Sequence, residues 1–205
     1  IYIMKDYQHN YSDTTPLNPE STALIIIDMQ YASGCRDTGL GRMLREQGLE
    51  ETGRYRFDRI EQLVIPGIKK LLKYFRSNKL GVIFVTVGSE QPDYSDVSKN
   101  LQKLFQDFHN TKGQIEHNIL DELKPETGEL IINKTTVSVF NSTNLEEILR
   151  GMGKTSLIFT GISTSQCVES SARDAFDLGF RCTLVEDCCA EDDASQHDAT
   201  ILQFG

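Results

Sequence analysis

Attack by sulfur on an acyl carbon needs a group to take the thiol proton, a cation to hold the developing charge, and the thiol itself. The chain offers such a set in Asp28, Lys134 and Cys167, each at or just after the end of an apolar run. Cys167 follows a polar turn and opens a helical pattern, which aims its sulfur into the partial positive charge of a helix N-terminus. With Lys134 beside it, the thiol pKa is expected to fall from near 8.5 to about 6.5, roughly 2.7 kcal/mol in favour of thiolate. Asp28 is then the carboxylate that takes the proton and later returns it. Singly, each residue has an ordinary role. An early helical cysteine is commonly a small buried hydrophobe, a strand-end aspartate a solvated or capping group, and a lysine between Asn133 and Thr135 a surface charge. Their arrival on one edge is what separates chemistry from packing.

The elements that must bring them together alternate between strand and helix signals. Residues 22–28 (TALIIID), 82–87 (VIFVTV), 129–132, 156–160 (SLIFT) and 181–185 read as strands, the first of them buried on both faces. Between them, Ile60, Leu63, Val64, Ile68, Leu71, Leu72 and Phe75 recur at helical spacing, with Pro66 marking a break or a fresh first turn. Leu145, Ile148 and Leu149 mark a short helix. Val168, Ala172, Ala175 and Phe176 form an apolar stripe that Gly179 can end, and 194–203 looks helical. Strand and helix units with right-handed crossovers build a parallel sheet between two helical layers. Such sheets bind ligands beyond the carboxyl ends of their strands, where strand order reverses. Asp28, the 88–93 stretch, Lys134 and the 161–167 turn all fall at that edge, and residues 89–116 are expected to be a partly ordered cover over it.

The segments around these residues, IIIDMQ, NKTTVSVFNST and TGISTSQCVESSARDAFDLG, resemble the isochorismatase-like cysteine hydrolase superfamily over nearly the whole chain. The resemblance implies one domain over residues 1–205. It also implies a three-layer α/β/α, Rossmann-like fold with a six-stranded parallel sheet in the order 3-2-1-4-5-6. It further implies a catalytic triad of Asp28, Lys134 and Cys167, a cis peptide at Ile162-Ser163, and an oxyanion hole from the N–H groups of Ser163 and Cys167. The order is physically sensible: strand three lies two spacings, about 10 Å, from strand one, a gap that a lysine side chain spans. For the turn itself, the ordinary reading is a helix cap by Thr164 or Ser165, and the two readings can hold together.

Composition narrows the function classes. Thirty acidic against 21 basic residues give a net charge of −9, which makes nucleic acid and anionic membranes poor partners. No apolar run approaches the length of a membrane span, and the opening residues carry no basic-then-apolar leader pattern, although the chain begins at Ile1. Five scattered cysteines fit neither a disulfide scaffold nor a zinc site, so a reducing, cytoplasmic setting is expected. Cys182, Cys188 and Cys189 read as core filling near strand five. The resemblance adds a homo-oligomer, dimer or tetramer.

Related nicotinamidases hold a divalent metal with an Asp and two His placed largely after strand two. Here that stretch reads VTVGSEQPDYSD, without histidine, and His9, His109, His117 and His197 show no ligand spacing. No metal or other cofactor is expected; Glu90 and Asp93 read as solvated loop carboxylates. Vinyl-ether hydrolases of the superfamily lack the cysteine. The closer resemblance is to amidohydrolases of small acyclic amides and ureides, of the biuret, ureidoacrylate or N-carbamoyl type, with a thioester intermediate and release of ammonia. Tyr31, Phe140, Asn141, Ser142 and Gln166 are the substrate-binding candidates, with helix capping an equal alternative for Asn141 and Ser142. Six arginines, at 36, 42, 45, 54, 56 and 59, follow strand one. One of their guanidinium groups could receive a substrate carboxylate, but the acids interleaved with them favour an exposed, salt-bridged surface. The alternatives are a nicotinamidase-like amidase of a cyclic amide and a catalytically idle binding module on the same fold. A redox thiol enzyme wants a resolving cysteine that no residue within one turn of Cys167 supplies.

Overall fold

A run of apolar and β-branched residues with no polar alternation has no face to give to water, so it belongs at the centre of a sheet covered on both sides. β1 (Thr22–Ile27) occupies that place, every residue of it buried. The computed structural model describes residues 15–204; His9 and the leader expectation lie outside them. Around β1 run β2 (Gly81–Val87), β3 (Leu130–Lys134), β4 (Ser156–Ile162) and β5 (Arg181–Ala190), all parallel, in the order β3-β2-β1-β4-β5. Among the described residues the sheet therefore has five strands, not the six that the resemblance implied. The five strand segments read from the residues themselves are the five that form, and the chain after β5 turns into helix.

Alternation along β1 divides the core into two layers. Ala23, Ile25 and Ile27 pack in one apolar cluster, and Leu24 and Ile26 in the other. After β1 come α1 (Tyr31–Gly34) and α2 (Gly39–Glu46), then α3 (Arg54–Arg59) and α4 (Ile65–Ser77), joined by a π-turn at Ile60–Val64. Pro66 sits in the first turn of α4. The helix passes through it because the wider π-turn already pairs the Ile65 N–H with the Ile60 carbonyl, so the missing proline N–H breaks no regular ladder. Ile60, Val64, Ile68 and Leu72 cover the Leu24 face, each burial contributing roughly 1.5–3 kcal/mol.

Within residues 89–116 the sequence reading gave only a partly ordered cover; the structure places α5 (Lys99–Asp107) there. An isolated bridge from Ser89 to Thr111 closes the stretch on itself, and one from Gln30 to Ile119 ties the chain just after it to the segment that follows β1. The crossover from β3 to β4 is α6 (Leu145–Gly151), and α7 (Glu169–Asp177) follows a π-turn at Thr164–Val168. α8 (Ala194–Phe204) ends the described chain. Phe176, expected on the buried stripe of α7, is exposed.

Gly161 links packing to the site. It stands beside Ile27 in the β1–β4 ladder at φ +111°, and a Cβ there would lie 2.0 Å from the Ile27 carbonyl oxygen. Gly161→Ala is expected to cost on the order of 3 kcal/mol, from strained backbone plus a forced parting of the two central strands. Chemical denaturation checks this, and an unchanged midpoint would refute it.

Candidate active site

In this topology the strand order reverses between β1 and β4, and the carboxyl ends of these two strands flank a natural crevice. Asp28 follows β1 directly, with its N–H on the Val85 carbonyl at 2.9 Å and φ at 52°, a left-handed conformation that aspartate tolerates better than most residues. Cys167 lies in the π-turn that follows β4. Lys134 ends β3, two strands from Asp28, and its extended side chain covers that gap while wholly buried. The Ile162-Ser163 peptide is cis.

The three side chains meet. Lys134 Nζ lies 2.8 Å from Asp28 Oδ2 and donates to Cys167 Sγ at 3.3 Å and to the Thr136 carbonyl at 3.1 Å. An ammonium has three protons and no acceptor; Lys134 spends hydrogen bonds on Cys167 Sγ and the Thr136 carbonyl, and Asp28 holds it as an ion pair. Burial alone would pull the lysine pKa down, but the Asp28 charge and the polar contacts with Asp28 and Cys167 raise it, so Lys134 stays an ammonium. Asp28 is pushed up by burial, which Lys134 only partly offsets. The Cys167 thiol is pushed up to about 12, first by burial and then by the Asp28 charge, against a lowering from Lys134. The expected standing thiolate is therefore not the resting form. The reason is that Lys134 is shared: its charge already belongs to the carboxylate, and the dry site favours the neutral thiol.

The cysteine turn is braced from the end of β5. Glu191, fully buried, accepts from the Ser165 N–H and hydroxyl, both at 2.7 Å, and from the Asp192 N–H at 2.9 Å. Capping of this turn thus comes from a distant carboxylate rather than from Thr164 or Ser165 themselves. Thr164 Oγ1 instead pairs with His197 Nδ1 at 2.9 Å, while His197 Nε2 lies 2.9 Å from Arg59 Nη2. Burial and the Arg59 charge lower the His197 pKa, so the neutral ring accepts from Arg59 and donates to Thr164. The Ser163 carbonyl accepts from the Gln166 and Val168 N–H groups, a pairing that passes over that of Cys167.

A cavity of about 240 Å³ opens on the thiol. Asp28, Ser163, Gln166 and Cys167 line it, and Lys134 lies beneath. The other substrate-binding candidates are elsewhere. Tyr31 packs into the Leu24-side cluster. Phe140 lies against the opposite cluster, its ring 6.4 Å from that of Phe180. Asn141 is exposed, and Ser142 spends its hydroxyl on the Thr135 N–H and Thr136 Oγ1. Neither caps α6; Thr143 Oγ1 accepts from the Leu145 N–H there. From this loop it is Thr136 and Val137 that reach the cavity.

Sequence reasoning missed the apolar wall, made by Leu40 and Met43 of α2 and by Leu101, Leu104, Phe105 and Phe108 of α5 and its end. The i, i+3, i+4, i+7 spacing of the last four was a readable signal. It also left Arg56 undistinguished among six arginines. Arg36, Arg42, Arg45 and Arg54 do form the expected exposed salt bridges, whereas Arg56 is 3% exposed and lines the cavity.

After β2, both oxygens of Asp96 are spent, on the Ser89 hydroxyl and on the Glu90 N–H. His117 Nδ1 is 3.1 Å from Asn110 Oδ1. Among the described residues no three His, Cys, Asp or Glu side chains gather as metal ligands. The five cysteines are all free thiols, with Cys188 and Cys189 buried in the core as expected of them. No helix among the described residues is long and apolar enough to cross a membrane.

Comparison with known proteins agrees with this architecture. The Isochorismatase domain family model matches residues 22–204. A curated relative, ureidoacrylate amidohydrolase RutB of Agrobacterium fabrum, is 32% identical over 186 residues, covering 83% of this chain and 76% of its own. Among solved structures, an isochorismatase family protein from Desulfovibrio vulgaris superposes with a TM-score of 0.73 at 26% identity, over 90% of each chain. The N-carbamoylsarcosine amidase of Thermoplasma acidophilum has a TM-score of 0.66 at 23% identity, over 89% of this chain and 91% of its own, a likeness of fold.

Proposed function

The chain belongs to the isochorismatase family, and we propose that it is a cysteine amidohydrolase that cleaves the C–N bond of a small acyclic amide or ureide and releases ammonia. The observation that carries this reading is the closed contact of Asp28, Lys134 and Cys167 at the floor of one cavity.

Asp28 takes the proton of Cys167 as the sulfur attacks the acyl carbon. The negative charge thereby moves from carboxylate to sulfur, and Lys134, in contact with both, stabilises it on either side of the transfer. The N–H groups of Ser163 and Cys167 hold the tetrahedral oxyanion, each such donor being worth about 3 kcal/mol. Ammonia leaves with the proton held by Asp28, giving a thioester. Asp28 then deprotonates a water that attacks the thioester, and the proton returns to sulfur as the acid departs.

Ammonia release is the test, measured on ureidoacrylate, biuret, maleamate, N-carbamoyl amino acids and nicotinamide, with and without EDTA. Turnover of one or more of the acyclic substrates, unchanged by the chelator, is expected. Activity confined to nicotinamide and removed by EDTA would overturn the reading.

A further inference from the structure

The cavity holds a second polar feature that the reaction above does not use. Arg56, on α3, is buried, and among the described residues it is the one cationic side chain lining the cavity. Its Nε donates to the Ser33 carbonyl at 3.0 Å, and its Nη1 to Ser163 Oγ at 2.8 Å and Asp192 Oδ1 at 3.0 Å. Its Nη2 has no hydrogen-bond partner among the described residues. A guanidinium held by two fixed contacts, with one nitrogen left over, is a preorganised half of a fork that a second carboxylate completes.

The counter-ion it already has is loosely held. Asp192 also lines the cavity, but its side chain is 57% exposed and touches Arg56 through one oxygen. It can swing into water at small cost, whereas Arg56, fixed on the Ser33 carbonyl and Ser163 hydroxyl, stays. Asp28 is no rival counter-ion, because Lys134 holds it. The bond to Ser163 also sets the guanidinium one side chain away from the proposed oxyanion donor, so a ligand using both is short and bifunctional. Its middle would meet the apolar wall of α2 and α5.

We propose that Arg56 is an anion receptor and that the substrate is a short amide or ureide bearing a free carboxylate, which binds Nη2 as Asp192 moves to solvent. This rests on the amidohydrolase reading for its chemistry, though not for the binding itself.

Two measurements keep the two claims apart. The first uses the unreactive Cys167→Ser variant and calorimetric titration with maleamate and its uncharged methyl ester. Maleamate is expected to bind about 100-fold more tightly than the ester, a preference that the added Arg56→Gln change removes, that Arg56→Lys keeps in part, and that Asp192→Asn increases. The second compares kcat and KM for the same pair in wild type and Arg56→Gln. The acid-over-ester ratio of kcat/KM is expected to collapse by about 100-fold, chiefly through KM. Equal binding of acid and ester, or an equal loss for both in Arg56→Gln, would overturn the proposal and leave Arg56 as a support for Ser163. Arg56-dependent binding with no turnover of maleamate or of any other acyclic substrate named above would uphold the receptor and refute the amidohydrolase reading instead.

Discussion

Cys167→Ser is expected to fold normally and to release ammonia at least about 10⁴-fold more slowly than the parent protein. The serine hydroxyl still accepts from Lys134 and keeps the volume of the site, so the network of Asp28, Lys134 and Thr136 stays paired. What it lacks is an acidity within reach of Asp28. A buried carboxylate can take a thiol proton at a cost that Lys134 repays on the sulfur, but an alkoxide is far less stable and a harder nucleophile to form. Cys167→Ala should be equally inactive. Lys134 there keeps Asp28 and the Thr136 carbonyl, and the missing sulfur leaves a small gap at the edge of a cavity, so the loss of stability should stay near 1–2 kcal/mol. Ammonia release with a coupled assay, alongside a melting curve, checks both variants. A Cys167→Ala protein with a tenth of the parent activity would show that sulfur is not the nucleophile.

The parts of this arrangement that could be read from sequence are those fixed by local pattern. Residues 22–27 announce a central strand because no other setting hides six such side chains, and the ends of three strands deliver Asp28, Lys134 and Cys167 to one place by topology alone. What depends on contacts between distant segments was not legible. Arg56 and Arg54 look alike in sequence, yet one is buried against Ser163 and Asp192 and the other pairs with Glu51 at the surface. Tyr31 and Phe140 have the chemistry to touch a ligand, but each finds an apolar cluster first. The α5 helix was hidden by its polar surroundings even though its own spacing is regular. The thiol is the plainest case. Its expected acidity assumed that Lys134 acts on sulfur alone, and only the three-dimensional contact shows that the same ammonium is already committed to Asp28.

That sharing yields the most discriminating result expected of the site, in which Asp28→Asn makes Cys167 more reactive toward alkylation while stopping turnover. The thiol is held up near 12 by burial and, next, by the negative charge of Asp28, with Lys134 working against both. Asparagine removes the second of these and leaves the third. The Lys134 ammonium, still wholly buried, then has no anionic partner except the sulfur, and an unpaired buried charge is costly enough to draw the proton off the thiol. The thiol pKa therefore falls, and at a fixed pH of about 7.5 a lower pKa means a larger thiolate fraction. Labelling by iodoacetamide, followed on the peptide that carries Cys167, should accelerate at least about tenfold over wild type. Hydrolysis should move the other way, by about 10³-fold, because the same variant has no group to take the proton, hand it to the leaving amine, or activate water for the second half of the reaction. Opposite signs in two measurements on one variant separate an ionising environment from a proton shuttle. Slower labelling than wild type would mean that Lys134 sheds its proton when Asp28 is gone, and retained turnover would remove Asp28 from the reaction altogether.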